Sequence, residues 1–238
     1  DLDAIPEETA RRAKFIYINY PNNPTGAVAT KAFYEKLVAW AKTYEVGVVS
    51  DLAYGALGYQ GYENPSFLST PGAKDVGIEF YTFSKTFNMA GWRLAFAAGN
   101  DQMIEALNLI QDHLFVGIFP ALQEAGIAAL LDPKSEEAVA QLNATYDSRR
   151  DAFVQAAAKI GWQAFPSRGS FYAWMPVPEG YTSESFADLL LEKVHVAVAP
   201  GKGFGPAGDA YVRIGLLVEP ERLVEAVDRI ANLHLFNN

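Results

Sequence analysis

The sequence contains no cysteine and only three histidines. The lack of cysteine excludes a disulfide framework, a thiolate metal site and a cysteine nucleophile. No pair of the histidines His113, His195 and His234 has the spacing of a metal-ligand motif. We therefore expect no metal site and assign these three side chains to packed or surface positions.

Positive charge is also scarce, and no apolar run is long. Lysine and arginine number 19 against 28 acidic residues, which gives a net charge of −9 and argues against nucleic-acid or acidic-membrane binding. No apolar run approaches the ~20 residues that span a bilayer, and the acidic start, Asp1 to Glu8, lacks a signal-peptide pattern. We expect a cytoplasmic protein without a membrane partner.

The first half of the chain alternates strand and helix patterns. The predicted strands are Phe15–Tyr20, Val46–Ser50, Ile78–Phe83 and Leu94–Ala98, and a helix capped by Thr30 lies between the first two. Residues 101–111 and 119–131 read as further helices. A strand-helix-strand order implies a buried, mostly parallel sheet flanked by helices, so the predicted fold class is α/β.

The second half has a different pattern. A long helix is predicted with Pro133 just inside its start and Gly161 just past its end. It is followed by a hairpin-like run, Gly169–Met175, and then by helices, strands Val196–Ala199 and Tyr211–Leu217, and a glycine-rich loop, Gly201–Gly208. We predict a large domain over residues 1–132, and a linking helix with a small α+β domain over residues 133–238.

One stretch, Phe80-Tyr-Thr-Phe-Ser-Lys85-Thr-Phe-Asn-Met-Ala-Gly-Trp-Arg93, sets a lysine directly after an apolar strand. An unpaired buried ammonium is costly and tends to lose its proton. A neutral lysine amine is a nucleophile that forms Schiff bases with carbonyl groups. Taken alone, a Ser-Lys-Thr sequence is more often a solvated turn.

Two other predicted strands also end in polar groups. Asn23 lies in the turn Pro-Asn-Asn-Pro-Thr-Gly after the first strand, and the second strand leads into Asp51-Leu-Ala-Tyr54. Because open α/β sheets bind ligands at the carboxyl ends of their strands, these groups and Lys85 are expected to converge. Alone, Asn23 reads as a turn residue and Asp51 as a cap.

These motifs, together with Tyr211-Val-Arg213-Ile-Gly near the C-terminus, resemble those of the class I/II aminotransferases, which are pyridoxal-phosphate enzymes of fold type I. The resemblance covers essentially the whole chain. The sequence around Asn23 and Lys85 is most similar to that of the methionine-salvage aminotransferases. The resemblance implies that a homologous N-terminal region is missing here, so the large domain is expected to be truncated.

The resemblance implies roles for single residues. Lys85 would bond to the cofactor aldehyde and later act as the base that moves a proton. Asp51 would pair with the ring nitrogen, and Tyr54 and Asn23 would contact the ring oxygen. A further set matches the family's anion contacts: Thr82, Ser84 and Arg93 for the phosphate, and Arg213 for the substrate carboxylate.

The implied function is transfer of an amino group between an amino acid and a 2-oxo acid by a homodimer. Within the resembled subfamily the oxo acid would be 4-methylthio-2-oxobutanoate, which yields methionine. Two alternatives stay open: a pyridoxal-phosphate lyase or decarboxylase on the same site, and a non-catalytic truncated core. The phosphate site would be incomplete, because the family takes further contacts from its N-terminal region.

Overall fold

The structure, a computed structural model, describes residues 1–165 and 167–236, which form two compact units. Unit 1 comprises residues 1–21, 29–56 and 63–140. Unit 2 comprises residues 22–28, 57–62 and 141–238. Two short segments, 22–28 and 57–62, are thus part of the unit built mainly from residues 141–238. The functional division into 1–132 and 133–238 stays a prediction.

Unit 1 is built on one four-stranded sheet. Its strands are β1 (Phe15–Asn19), β2 (Gly47–Asp51), β3 (Gly77–Thr82) and β4 (Ala95–Gly99). They lie in the order β1-β2-β3-β4, with the first three parallel and β4 antiparallel to β3. The predicted mostly parallel sheet is confirmed. Asn19 stands opposite Asp51, and Asp51 opposite Phe80, so the ends of β1 and β2 lie side by side.

The helices of unit 1 flank this sheet. They are α1 (Glu7–Arg12), α2 (Lys31–Tyr44), α3 (Ala73–Val76), α4 (Phe83–Thr86), α5 (Asp101–Leu114) and α6 (Pro120–Leu131). α2 begins where the sequence predicted, because Thr30 Oγ1 accepts a hydrogen bond from the Phe33 amide at 3.1 Å. Its buried side chains, among them Leu37, belong to one core cluster with Ile18 and Val48 of the sheet.

Unit 2 contains a smaller antiparallel sheet. A long helix, α7 (Ser135–Lys159), lies mostly in this unit, and its other elements are β5 (Tyr172–Pro176), α8 (Ser183–Val194), β6 (Ala199–Pro200), β7 (Tyr211–Gly215) and α9 (Pro220–Ala231). The sheet order is β5-β7-β6. Fully buried aromatic side chains, Phe153, Trp162 and Phe186, form the centre of its core. The predicted small α+β domain therefore has a core of its own.

Three local predictions in this half are wrong. α7 begins at Ser135, so Pro133 precedes the helix in a turn where Asp132 Oδ1 accepts from the Lys134 amide at 2.8 Å. The run Gly169–Met175 is not a hairpin: β5 pairs with β7. The strand expected over Val196–Ala199 is reduced to Ala199–Pro200. The hairpin prediction failed because the partner strand of β5 is remote in sequence.

Unit 1 exposes much apolar surface. Tyr17 on the edge strand β1 is 76% exposed, and several large apolar residues on α5, α6 and the segment between them are also exposed. These include Leu114, Phe115 and Val116. Extended exposed apolar surface favours association with another surface. In the part of the chain that the structure describes, no helix has the length and apolar character needed to cross a membrane.

Candidate active site

Lys85 lies in α4, the short helix that follows β3. The helix is capped by Thr82, whose Oγ1 accepts from the Ser84 amide at 3.2 Å. The Lys85 side chain is half-buried, and its Nζ lies 5.8 Å from the centre of the Tyr54 ring. Unit 1 therefore brings together Lys85 and Tyr54, which are 31 residues apart in sequence.

Asp51 is the last residue of β2, and its side chain is exposed. Its Oδ1 accepts from the Ala53 amide at 3.0 Å, and its carbonyl oxygen accepts from Asn19 Nδ2 at 3.1 Å. These bonds fix the turn that leads from the strand end to the buried Tyr54. Among the described residues, no group donates a hydrogen bond to Asp51 Oδ2, so this oxygen is available to a cationic or N–H ligand.

The predicted phosphate contacts also lie in unit 1. Thr82 and Ser84 are adjacent, with their hydroxyl oxygens 3.0 Å apart. Arg93 is exposed and donates from Nη1 to the Ala90 carbonyl at 3.0 Å. Across residues 1–165 and 167–236, no carboxylate lies within ion-pair distance of Arg93. Two hydroxyls and a guanidinium without an acidic partner are a donor set suited to an anion.

Glu79 is a residue that the sequence analysis missed. This carboxylate is almost fully buried on β3, where it accepts hydrogen bonds from Ser50 Oγ at 3.0 Å, Ser66 Oγ at 2.5 Å and the Phe67 amide at 2.8 Å. Three donors satisfy the buried charge. Ser50 is next to Asp51 on β2. Glu79 therefore connects residues 66–67 to the strand that carries Asp51. The signal available in the sequence was an acidic residue inside an apolar strand.

The other two predicted site residues lie in unit 2. Arg213 is half-buried on β7, and its Nη1 donates to Asn23 Oδ1 at 2.8 Å. Its guanidinium carbon lies 4.2 Å from the centre of the Tyr172 ring and 4.8 Å from that of Phe204. Among the described residues, no carboxylate lies within ion-pair distance of Arg213. A half-buried guanidinium in this setting favours an anionic ligand.

The segment that carries Asn23 is fixed within unit 2. The Gly26 carbonyl accepts from the amides of Arg168 and Gly169 at 3.2 and 3.3 Å. Gly26 has a positive φ of 69°, and a Cβ at this position would lie 2.0 Å from Ser167 Oγ. Glycine is therefore required here, and Asn23 is held in place on the same unit as Arg213.

The second short segment of unit 2, residues 57–62, is held in a similar way around Tyr59. The Tyr59 amide donates to the Arg168 carbonyl at 2.9 Å, and Arg150 lies over the Tyr59 ring at 4.4 Å. Arg150 in turn pairs with Asp147 and Asp151. The buried Tyr59 hydroxyl has no hydrogen-bond partner among the described residues. Burial raises the pKa of Tyr59 well above its ordinary value, although Arg150 acts in the opposite direction.

Replacing Tyr59 with phenylalanine is expected to raise the free energy of unfolding by about 1 kcal/mol near neutral pH, because it removes a buried hydroxyl without a partner. The raised pKa means that the wild type loses stability as the pH rises above the ordinary tyrosine value of about 10, since the unfolded chain then ionises first. The Tyr59→Phe variant lacks this loss, so the difference should widen in alkali. Urea unfolding of both proteins, at neutral pH and at a pH above about 10, measures this difference in stability. Equal stabilities would show that the hydroxyl is hydrogen-bonded in solution.

The family model described as aminotransferase class I and II matches residues 1–230. The chain is 57% identical over 236 residues to the L-glutamine–4-(methylsulfanyl)-2-oxobutanoate aminotransferase of Bacillus subtilis, covering 99% of this chain and 59% of that protein. It is 49% identical over 230 residues to the LL-diaminopimelate aminotransferase of Moorella thermoacetica, covering 97% and 58%.

A solved structure gives the same result for the fold. An aminotransferase from Staphylococcus aureus is 39% identical to the chain and superposes with a TM-score of 0.95, over 100% of this chain and 62% of that one. The chain spans about 60% of the length of the relatives that it matches. The match extends through both compact units and includes every predicted site residue. The chain belongs to the class I and II aminotransferases.

Proposed function

We propose that the protein to which this chain belongs is a pyridoxal-phosphate-dependent aminotransferase, and that unit 1 supplies its reactive amine. The observation that carries the proposal is the placement of Lys85 Nζ 5.8 Å from the Tyr54 ring at a strand end, in a chain of this family. Asp51 lies at the end of the neighbouring strand. A carboxylate, a phenol and an amine on adjacent strand ends are the groups that a protonated pyridine aldehyde requires.

The donor set of unit 1 fits this cofactor. Thr82 and Ser84 offer adjacent hydroxyls, and Arg93 offers a guanidinium without an acidic partner among the described residues. These three residues would bind the phosphate. Asp51 would hold a proton on the ring nitrogen, and Tyr54 and Asn23 would contact the ring oxygen. Asn23 accepts a hydrogen bond from Arg213 within unit 2. The residue proposed to contact the ring oxygen therefore also orients the arginine proposed to bind the substrate carboxylate.

Pyridoxal phosphate, when bound, supplies an aldehyde that takes up amino groups and a ring that withdraws electrons from the bond to be broken. Lys85 would supply the amine that binds the aldehyde and, as a free amine, would act as the base that moves a proton at the substrate α-carbon. Arg213 would bind the substrate carboxylate with two parallel hydrogen bonds and thereby orient the substrate.

The substrates proposed are an amino acid and a 2-oxo acid. The name of the Bacillus subtilis relative specifies L-glutamine and 4-(methylsulfanyl)-2-oxobutanoate, and we propose this pair for the present protein, with methionine as the product. We further propose that it acts as a homodimer in the cytoplasm. The exposed apolar surface on α5 and α6 supports association with another chain.

A labelling experiment tests the cofactor assignment. The chain is mixed with pyridoxal phosphate, reduced with borohydride, digested and analysed by mass spectrometry. The expected result is a single pyridoxyl group on the peptide that carries Lys85. The Lys85→Arg variant should lose the label, and the Asp51→Asn variant should retain it only at higher cofactor concentration, since a charged contact to the ring is lost.

The matched control is Lys74→Arg, because Lys74 is an exposed lysine of the same unit. This variant should be labelled like the wild type. Label distributed over surface lysines, or an unchanged yield in Lys85→Arg, would contradict the assignment.

A further inference from the structure

The glycine-rich loop at residues 201–208 closes on itself. A Cβ on Gly201 would lie 2.1 Å from the Gly208 carbonyl oxygen, and one on Gly208 would lie 2.1 Å from the Gly201 carbonyl oxygen. No larger residue fits at either position without displacing backbone. The two ends of the loop are thus in direct contact, and the residues between them include the 3₁₀ helix Gly201–Phe204.

The same loop is fastened to the first turn of α8. The buried Ser183 Oγ donates to Asp209 Oδ1 at 2.7 Å and accepts from the Lys202 amide at 3.2 Å. The Lys202 ammonium pairs with Glu184 at 2.6 Å. Attachment on both sides of Phe204 restricts the loop, so the place of the Phe204 ring is set by unit 2 itself.

Phe204 lies over Arg213 although its side chain is 42% exposed. Its ring centre is 4.8 Å from the guanidinium carbon, and it also makes an edge contact with Trp174 at 5.9 Å. Tyr172 is closer to the guanidinium, at 4.2 Å, and its ring is supported by Phe171 at 4.9 Å. Two aromatic rings and the Asn23 amide oxygen therefore surround one guanidinium that has no acidic partner among the described residues.

We propose that Phe204 and Tyr172 are positioning residues that hold the Arg213 guanidinium in place for a carboxylate ligand; this inference rests on the proposed function. The rings attract the cation through their π-faces and displace water from it. An ion pair is stronger where water is excluded.

The test is a titration of the ¹⁵N-labelled chain with 4-methylpentanoate, followed through the Nε–Hε resonance of Arg213. In the wild type this proton should carry an upfield ring-current shift and should move further when the carboxylate binds. Phe204→Leu should remove part of the shift and weaken binding about tenfold, within the range measured for cation–π contacts. Phe204→Tyr should restore both, because the ring is kept. Tyr172→Leu should act in the same direction as Phe204→Leu.

Phe165→Leu is the matched control, because Phe165 lies in the same unit and is 43% exposed, nearly as much as Phe204. It should bind like the wild type. 4-Methylpentanamide, the neutral amide of the same acid, should bind neither to the wild type nor to any variant.

Three outcomes overturn the inference, and the first two separate it from the proposed function. If Phe204→Leu and Tyr172→Leu bind within twofold of the wild type while Arg213→Gln loses binding in isothermal titration, the rings do not position Arg213 and the carboxylate role of Arg213 stands. If the wild type shows no carboxylate-dependent change at Arg213, the proposed carboxylate role fails, and the role of the rings fails with it. Equal weakening in Phe204→Leu and Phe165→Leu would also contradict the inference.

Discussion

Replacing Arg213 with glutamine is expected to weaken the binding of an apolar monocarboxylate by about 100-fold. The loss follows from removing one side of a desolvated, two-pronged ion pair, which typically costs about 2–5 kcal/mol. Arg213 has the required setting, since it is half-buried and bonded to Asn23 but has no carboxylate within ion-pair distance among the described residues. Arg213→Lys should recover only part of the affinity, because an ammonium cannot form the planar two-pronged contact.

Isothermal titration with 4-methylpentanoate measures this effect. Arg168→Gln is the matched control: Arg168 is an exposed arginine of the same unit, and it too lies over an aromatic ring, at 5.3 Å from that of Tyr62. That variant should bind within twofold of the wild type. Equal affinities of the wild type and Arg213→Gln would show that the carboxylate binds elsewhere.

Replacing Trp162 with alanine is expected to lower the free energy of unfolding of unit 2 by about 4 kcal/mol. The indole is 1% exposed and stands between Phe153, Phe186 and Phe236, with ring centres 5.1–6.2 Å away. Its Nε1 also donates to the Pro176 carbonyl at 2.7 Å. The variant would leave both a large cavity and an unpaired carbonyl at the end of β5, so the two costs combine.

Urea unfolding followed by circular dichroism measures the change. Trp92→Ala is the control, because Trp92 is 46% exposed and its loss should change stability by no more than about 0.5 kcal/mol. Trp162→Phe should fall between the two, since it keeps most of the ring volume but not the hydrogen bond. A loss below about 1 kcal/mol in Trp162→Ala would mean that the core of unit 2 closes around the vacant space.

The sequence predicted best where structure depends on neighbouring residues. The cap at Thr30 and the spacing of Leu37 and its neighbours located α2 almost to the residue. Both signals are local, because a cap bonds to the amide three positions ahead and helical periodicity is read from one segment. The strands of unit 1 were located to within a residue or two for a similar reason, since a buried parallel strand is a short apolar run with polar ends.

Prediction failed where the partner is remote. Nothing near Tyr172 indicates that β5 pairs with Tyr211–Gly215 instead of forming a hairpin. The contact between Asn23 and Arg213 joins residues 190 positions apart. The motifs identified both residues, but composition and spacing do not show that one hydrogen-bonds to the other. Phe204 was visible only as part of a glycine-rich loop, and its place over Arg213 depends on how that loop closes.

The interleaving of the two units has a consequence for the time at which each is completed during synthesis. The chain passes between them at 21/22, 28/29, 56/57, 62/63 and 140/141. Ser167, which donates to the Gly26 carbonyl, lies 141 residues further along the chain. At a translation rate of about 5–20 residues per second, it is made on the order of 10 s after Gly26. The segments 22–28 and 57–62 therefore leave the ribosome before their hydrogen-bond partners at residues 167–169 and can form these bonds only after those residues have been made.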